Sequence, residues 1–196
     1  MTAEELEYLA TLPLSDVQLG AYPEGVILKA ADLAKLKSMK SLVDLELCVQ
    51  DFDNEHVAVL SELSSLEALM VSTGCEHNTR KDCKLSIESV RDLRKLKHLE
   101  WLRFNSNSGF DDEMIAELIK LDSLTTLYIS GDGPRTTDRS IQSIIQAKKQ
   151  FKHLSFSKTS FSQSAIRELL RSGLVKELEI EGKAYPQETC SGASKP

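Results

Sequence analysis

The apolar residues of this chain follow a short pattern that returns along its length. Each copy has an apolar residue, two variable residues, an apolar residue, one variable residue and a final apolar residue, as in Leu42-Leu45-Leu47 and Leu99-Leu102-Phe104. Seven copies begin at positions 14, 42, 66, 99, 124, 151 and 175. The alternation of apolar and variable residues within each copy predicts a short, half-buried strand.

The segments between these copies carry apolar residues three positions apart, as in Leu33, Leu36 and Met39, a spacing typical of one face of a helix. Four segments also begin with an apolar residue before Ser or Asp, and a further apolar residue follows four positions after that polar one. This is the spacing of a hydrophobic staple at a helix N-terminus. The four pairs are Phe52-Asp53, Leu85-Ser86, Phe110-Asp111 and Phe161-Ser162.

Strand and helix units of 24 to 33 residues that cover nearly the whole chain resemble the leucine-rich repeat family. The copies are most similar to the ribonuclease-inhibitor-like and cysteine-containing subclasses, because the segments between strands have the pattern of true helices. The resemblance implies an α/β leucine-rich repeat solenoid: a horseshoe segment of about seven repeats, with a parallel concave sheet and convex helices.

One domain is expected over residues 1–182, with a capping helix at about 3–12. Residues 183–196 are polar and are expected to form a disordered tail. The last predicted strand carries Glu177, Glu179 and Glu181, and charges on an edge strand discourage pairing with another chain.

Composition excludes several classes of function. The 196 residues carry a net charge of −6, which argues against a nucleic-acid-binding protein because such proteins need a basic surface. The chain has no apolar stretch near the roughly 18 residues that suggest a membrane span. Its first residues lack the basic stretch and apolar core of a signal peptide, so we expect a cytoplasmic protein, or a nuclear one, with its four cysteines as free thiols.

The variable residues of each copy are expected to point outward from the concave face. Their identities predict acidic ends and an aromatic, partly basic centre. Trp, Tyr and Arg are enriched where protein interfaces concentrate their binding energy, so the centre is the candidate binding site, unless Trp101 merely folds over its neighbours. The acidic flanks favour a partner with a basic surface. The candidate partner-binding residues are Met70, Trp101, Arg103, Tyr128, His153, Asp44 and Glu46.

Two stretches, 74–84 and 130–138, exceed the length that the repeat requires, and such loops either carry function or are tolerated insertions. Cys75, His77 and Cys83 lie in the first and fall one ligand short of a closed zinc site, so we expect no metal and no cofactor. A Cys75–Cys83 disulfide is an alternative in an oxidising compartment. The basic run is interpreted as a solvated convex face, with a secondary site for an acidic partner as the alternative; its residues are Arg80, Lys81, Lys84, Arg91, Arg94, Lys95 and Lys97.

Nothing in the chain predicts an enzyme. Motifs for phosphate, dinucleotide, acyl or zinc-dependent chemistry are absent. Cys48 and His153 share the concave face, but they lie four strands apart, about 19 Å, which is too far for a catalytic dyad.

Two non-catalytic functions are consistent with the repeats. The first is an adaptor or recognition subunit, since the repeats resemble those of F-box-type ubiquitin ligase receptors. The second is an inhibitor of a basic enzyme or toxin, which the ribonuclease-inhibitor resemblance would imply. We expect a monomer, although self-association could complete the thin N-terminal cap.

Overall fold

The computed structural model describes residues 2–20, 25–50, 52–73, 85–105, 109–130 and 135–186. Its strands form one sheet in chain order, β1 to β8. Strands β1 to β7 are parallel, and β8 runs antiparallel to β7. The strands are β1 (Asp16–Leu19), β2 (Asp44–Val49), β3 (Ala68–Thr73), β4 (Trp101–Asn105), β5 (Thr126–Ser130), β6 (Phe151–Ser157), β7 (Val175–Ile180) and β8 (Lys183–Tyr185).

A helix precedes β1 and a helix follows each of β1 to β6. They are α1 (Ala3–Leu9), α2 (Ala30–Leu33), α3 (Asn54–Leu60), α4 (Ile87–Asp92), α5 (Asp112–Leu118), α6 (Asp138–Ala147) and α7 (Gln163–Ser172). Each helix packs beside the next, and the apolar residues of the strands and helices form one continuous buried cluster. This arrangement is the α/β leucine-rich repeat solenoid predicted from the sequence, in which each unit buries its apolar face against its neighbours.

The four predicted helix starts are confirmed. Asp53, Ser86, Asp111 and Ser162 are the N-cap residues of α3, α4, α5 and α7, and each side chain accepts a hydrogen bond from a backbone N–H of the first turn. A cap of this kind satisfies a donor that would otherwise be unpaired.

The helix side is less regular than the sequence predicted. Two helices continue as 3₁₀ turns, Ala34–Ser38 after α2 and Leu93–Lys95 after α4. The buried residues Leu33, Leu36 and Met39 are three apart, which suits a 3₁₀ helix. Val57, Leu60 and Leu63 have the same spacing without a 3₁₀ turn, so the spacing alone does not explain the difference.

The C-terminal boundary requires a correction. Lys183–Tyr185 forms β8, so the first residues of the predicted disordered tail are a strand. Ile180 pairs with Lys183 across a two-residue turn in which Glu181 and Gly182 both have positive φ, 53° and 73°, as a type I′ turn requires. Consequently β8 covers the last three residues of β7, Leu178 to Ile180, and Glu179 does not protect an exposed edge.

A series of hydrogen bonds links successive helices. The first residue of a helix accepts from the N-cap residue of the next: Asn54 from Ser86, Asp112 from Thr137, and Asp138 from Ser162. Asp112 also accepts from the N–H and the hydroxyl of Ser140, whose side chain is fully buried. We call these contacts the capping ladder.

The capping ladder is interrupted between α4 and α5, where Ile87 occupies the accepting position and Asp111 is the next cap. Ion pairs join the two helices there instead. Glu117, 8% exposed, lies 3.4 Å from Arg91 and 3.7 Å from Arg94, and 2.9 Å from Lys120 of its own segment. The hydrogen bond from Lys120 outweighs burial, so the pKa of Glu117 is lowered and its carboxylate stays charged.

Candidate binding face

One face of the sheet carries the variable residues of the repeats, which alternate with the buried ones. We call it the open face. Its first row, read across β1 to β7 in register, is Asp16, Asp44, Ala68, Trp101, Thr126, His153 and Glu177. Its second row is Gln18, Glu46, Met70, Arg103, Tyr128, Ser155 and Glu179. The seven candidate residues all lie in these two rows and all are half-buried.

Three of the candidate residues form a continuous line of rings, the aromatic row: Trp101, Tyr128 and His153. The centroids of Trp101 and Tyr128 are 5.4 Å apart with the planes at 47°, and those of Tyr128 and His153 are 4.7 Å apart at 26°. These distances lie within the range of favourable ring contacts. The row presents a pre-arranged aromatic surface across β4 to β6.

Arg103 is held against the aromatic row. Its guanidinium carbon lies 5.5 Å from the centroid of the Tyr128 ring, and its Nε donates to Oδ1 of Asn105 at 2.9 Å. Stacking on a ring and bonding to an amide both limit the motion of a long side chain. Met70 lies beside Arg103 on β3, in register with it.

His153 completes the row with one satisfied nitrogen. Its Nδ1 is 3.0 Å from Oε2 of Glu177 on the neighbouring strand. Its Nε2 is buried and has no hydrogen-bond partner within the described ranges.

The acidic flank at β1 and β2 contrasts with this centre. Asp16 and Asp44 are register partners, and burial together with the negative charge of Asp16 raises the pKa of Asp44. Among the described residues, no lysine, arginine or histidine nitrogen pairs with Asp16, Asp44 or Glu46. Within the described ranges, the flank therefore holds negative charge that no cation pairs with.

Cys48 departs from the predicted row of outward side chains, because it is 2% exposed. The N–H of Val26 donates to the carbonyl of Cys48, and Val26 bridges to Val49, so the segment after β1 covers the end of β2. Cys48 on β2 and His153 on β6 are also four strands apart, as the sequence predicted.

The predictions for residues 74–84, including those for Cys75, His77 and Cys83, lie outside the described residues, as do 131–134 of the second insertion. Within the described residues, no group of three or more His, Cys, Asp or Glu could hold a metal ion. The basic run is partly described: Arg91 and Arg94 pair with Glu117, and Lys95 pairs with Asp92. That pairing agrees with a structural rather than a binding role.

One cleft of about 420 Å³ lies away from the open face, at the start of β2 and β3. Its wall includes Lys37 and Glu62, which form an ion pair at 2.7 Å. In the part of the chain that the structure describes, no helix is long and apolar enough to cross a membrane.

Sequence reasoning missed Ala68 and Asn105. Ala68 lies between Asp44 and Trp101 in the first row, and Asn105 orients Arg103. Both positions could have been found by reading the rows for side-chain size and for hydrogen-bonding groups, rather than for hot-spot residue types alone.

No family model matches this chain, and no curated protein matches it. Among solved structures, it is similar to internalin C2 from Listeria monocytogenes, with 19% sequence identity over 92% of this chain and 84% of that chain, and a TM-score of 0.43. A similarity at this level carries no conclusion about function.

Proposed function

We propose that this chain is a non-catalytic protein-interaction module whose open face binds a protein partner, as an adaptor or recognition subunit. The observation that carries the proposal is the aromatic row with Arg103 stacked on it. Aromatic and arginine side chains that are already held in place lose little conformational freedom on binding, and they are the residue types that dominate interface energetics.

The surroundings of the aromatic row support the same function. Binding sites of this kind have a central anchor and a polar rim. Acidic residues flank the aromatic row on both sides: Asp16, Asp44 and Glu46 on one, and Glu177 and Glu179 on the other. A rim of negative charge favours the approach of a partner with a basic surface.

An adaptor needs a second surface for a second partner, whereas an inhibitor acts alone through one face. Tyr8 and Ile27 are the most exposed large apolar side chains in the described ranges, 69% and 67%, and both lie outside the strands. Single exposed apolar side chains are ordinary on protein surfaces, so these two do not mark a site for a second partner. Sedimentation of the purified chain distinguishes the monomer from the self-associated form.

The test of the proposed function is affinity capture from native lysate, read by mass spectrometry. We expect a protein that wild type retains and the Trp101→Ala/Tyr128→Ala double variant loses, with a cost of about 2 kcal/mol of binding for each ring. Tyr8→Ala is the matched control, because it removes an exposed ring away from the sheet. Equal capture by wild type and the double variant would contradict the proposal.

A further inference from the structure

The first row of the open face contains a gap, because Ala68 on β3 lies between two larger residues, Asp44 on β2 and Trp101 on β4. Alanine contributes one methyl group at a position where its neighbours contribute a carboxylate and an indole. Since adjacent strands are about 4.8 Å apart, the two walls stand about 10 Å apart at the backbone. We call this gap, formed by Asp44, Ala68 and Trp101, the Ala68 notch.

The Trp101 wall of the notch offers an indole surface. The ring makes its aromatic contact with Tyr128 on β5, on the side away from the notch. Of the described aromatic side chains, none contacts the indole from the β3 side. An indole face is the strongest aromatic surface for attracting a cation.

The Asp44 wall offers a carboxylate with no counter-charge among the described residues. Asp44 is half-buried, its register partner is another aspartate, and its second-row neighbour Glu46 adds a third negative charge. A cation placed in the notch would pair with the Asp44 carboxylate, and that attraction would offset the burial and the repulsion from Asp16 that raise its pKa.

The cation nearest to the notch in the second row is engaged elsewhere. Arg103 donates to Asn105 and lies over the Tyr128 ring, so its charge is directed toward β5 and away from Ala68. The notch therefore has a carboxylate on one wall, an indole on the other and no described cation of its own. This combination is complementary to one basic side chain.

We propose that the Ala68 notch binds a single lysine or arginine side chain of the protein partner, between the indole of Trp101 and the carboxylate of Asp44. The inference rests on the proposed function of the open face and adds the chemistry of the segment that docks there. An acidic guest would be repelled by Asp44, and an apolar guest would bury that carboxylate without compensation.

The test uses linear 12-residue peptides selected by display on the wild-type chain at about 150 mM salt, where long-range attraction between exposed charges is screened. We expect the selected peptides to be enriched in Lys or Arg at one position. A fluorescein-labelled selected peptide is then titrated against the variants Asp44→Asn, Ala68→Leu, Trp101→Ala and Glu113→Gln. Glu113→Gln is the matched control, because it removes one negative charge from an exposed position of α5, outside the open face.

Asp44→Asn and Ala68→Leu should each weaken binding about 10-fold, and Glu113→Gln less than about 2-fold, as expected for a local cation–π and ion-pair contact rather than attraction to the net charge of the chain. Replacing the enriched Lys or Arg of the peptide by Gln should weaken binding to wild type by the same factor as Asp44→Asn does. With that Gln peptide, Asp44→Asn should have almost no further effect on affinity. Asp44→Asn adds no volume, so it tests the notch even if Ala68→Leu perturbs folding.

The outcomes separate the two proposals. Peptides that need Trp101 but show no basic enrichment, or that bind Asp44→Asn as tightly as wild type, would overturn the notch and leave the open-face proposal standing. Selected peptides that are insensitive to Trp101→Ala would overturn both, and so would a selection that returns no binding peptide.

Discussion

The helix side and the open face of this solenoid differ in how their carboxylates are paired. On the helix side, two carboxylates that join neighbouring helices are surrounded by donors: Glu117 has three cations within 4 Å, and Asp112 accepts four hydrogen bonds from Thr137 and Ser140. On the open face, Asp16, Asp44 and Glu46 have no cationic partner among the described residues, although Asp44 is half-buried.

This difference indicates what each side is for. On the helix side, the contacts of Glu117 and Asp112 stabilise one repeat against the next, although Oε2 of Glu117 has no hydrogen-bond partner among the described residues. The open face keeps half-exposed rings and carboxylates that pair with no described cation, and these cost stability or solubility unless another molecule covers them. We therefore expect substitutions on the helix side to change the free energy of unfolding, and substitutions on the open face to change binding.

The largest effect is expected from a substitution in the core, because both sides pack against it. Phe104 is fully buried and contacts Phe52 and Phe110, with ring centroids 6.2 and 5.1 Å away. Phe104→Ala should lower the free energy of unfolding by about 3–5 kcal/mol, because it leaves a cavity. Urea denaturation measures this value, and Phe104→Leu, which retains more of the volume, should cost clearly less. Equal losses for the two variants would mean that the site collapses around the smaller side chain.

A substitution in the capping ladder should affect the helix side alone. Asp112→Ala removes four hydrogen bonds and leaves Ser140 buried without its acceptor, so we expect a loss of about 2 kcal/mol of stability and unchanged peptide binding. Asp138→Ala removes two such bonds and should cost less. A binding defect in Asp112→Ala below its melting temperature would contradict the separation of the two sides.

Asp112 should also make the free energy of unfolding depend on pH, in a direction that its pKa shift defines. Burial raises the pKa of Asp112, but the hydrogen bonds from Ser140 and Thr137 outweigh burial and lower it below the ordinary value of 3.8. A group with a lowered pKa in the folded state stabilises above its ordinary pKa and loses that contribution as the pH falls through the folded value. The difference in free energy of unfolding between wild type and Asp112→Ala should therefore be smaller at about pH 2 than at about pH 6. Urea denaturation at both pH values measures this difference.

The smallest effect is expected at Lys149, which lies between α6 and β6. Burial lowers its pKa to about 8, although Asp122 partly opposes this; the ammonium donates to the carbonyl of Leu121 and lies 5.5 Å from the Phe151 ring centroid. Between about pH 8 and 10.5 the unfolded chain holds more protons at this residue, so stability should rise with pH relative to Lys149→Met. The gain should stay below about 1 kcal/mol, since water screens a half-exposed ammonium.

Lys40→Met is the control for that series, because the Lys40 ammonium also donates to a backbone carbonyl, that of Lys37, at the surface. Chemical denaturation of the three proteins at about pH 7, 8.5 and 10 measures the trend. A Lys149→Met difference that does not change with pH would show that the ammonium is solvated in the folded chain.

The sequence predicted those features that depend on repetition. The strand register follows from the spacing of the apolar residues, and the starts of α3, α4, α5 and α7 follow from an apolar residue before a good N-cap. The rows of the open face could therefore be written down from the sequence, including Trp101 beside Tyr128.

The rest depends on how side chains meet across repeats, which spacing does not specify. Nothing local indicates that Arg103 leans on Tyr128, that residues after β1 cover Cys48, or that Glu181 and Gly182 start a hairpin. The capping ladder has a sequence pattern that becomes visible only once the structure is known. Asn or Asp at the first position of a helix bonds to Ser or Thr at the next N-cap, and where the first position is Ile87 the next N-cap is Asp111.

The most direct test of the separation between the two sides is hydroxyl-radical footprinting of the chain with and without the captured partner. Oxidation of Met70, Trp101 and Tyr128 should fall several-fold on binding, while oxidation of Tyr8, 69% exposed on α1, should not change. Protection of Tyr8 with unchanged oxidation of Trp101 and Tyr128 would contradict the account and place the binding surface at the N-terminal end of the solenoid.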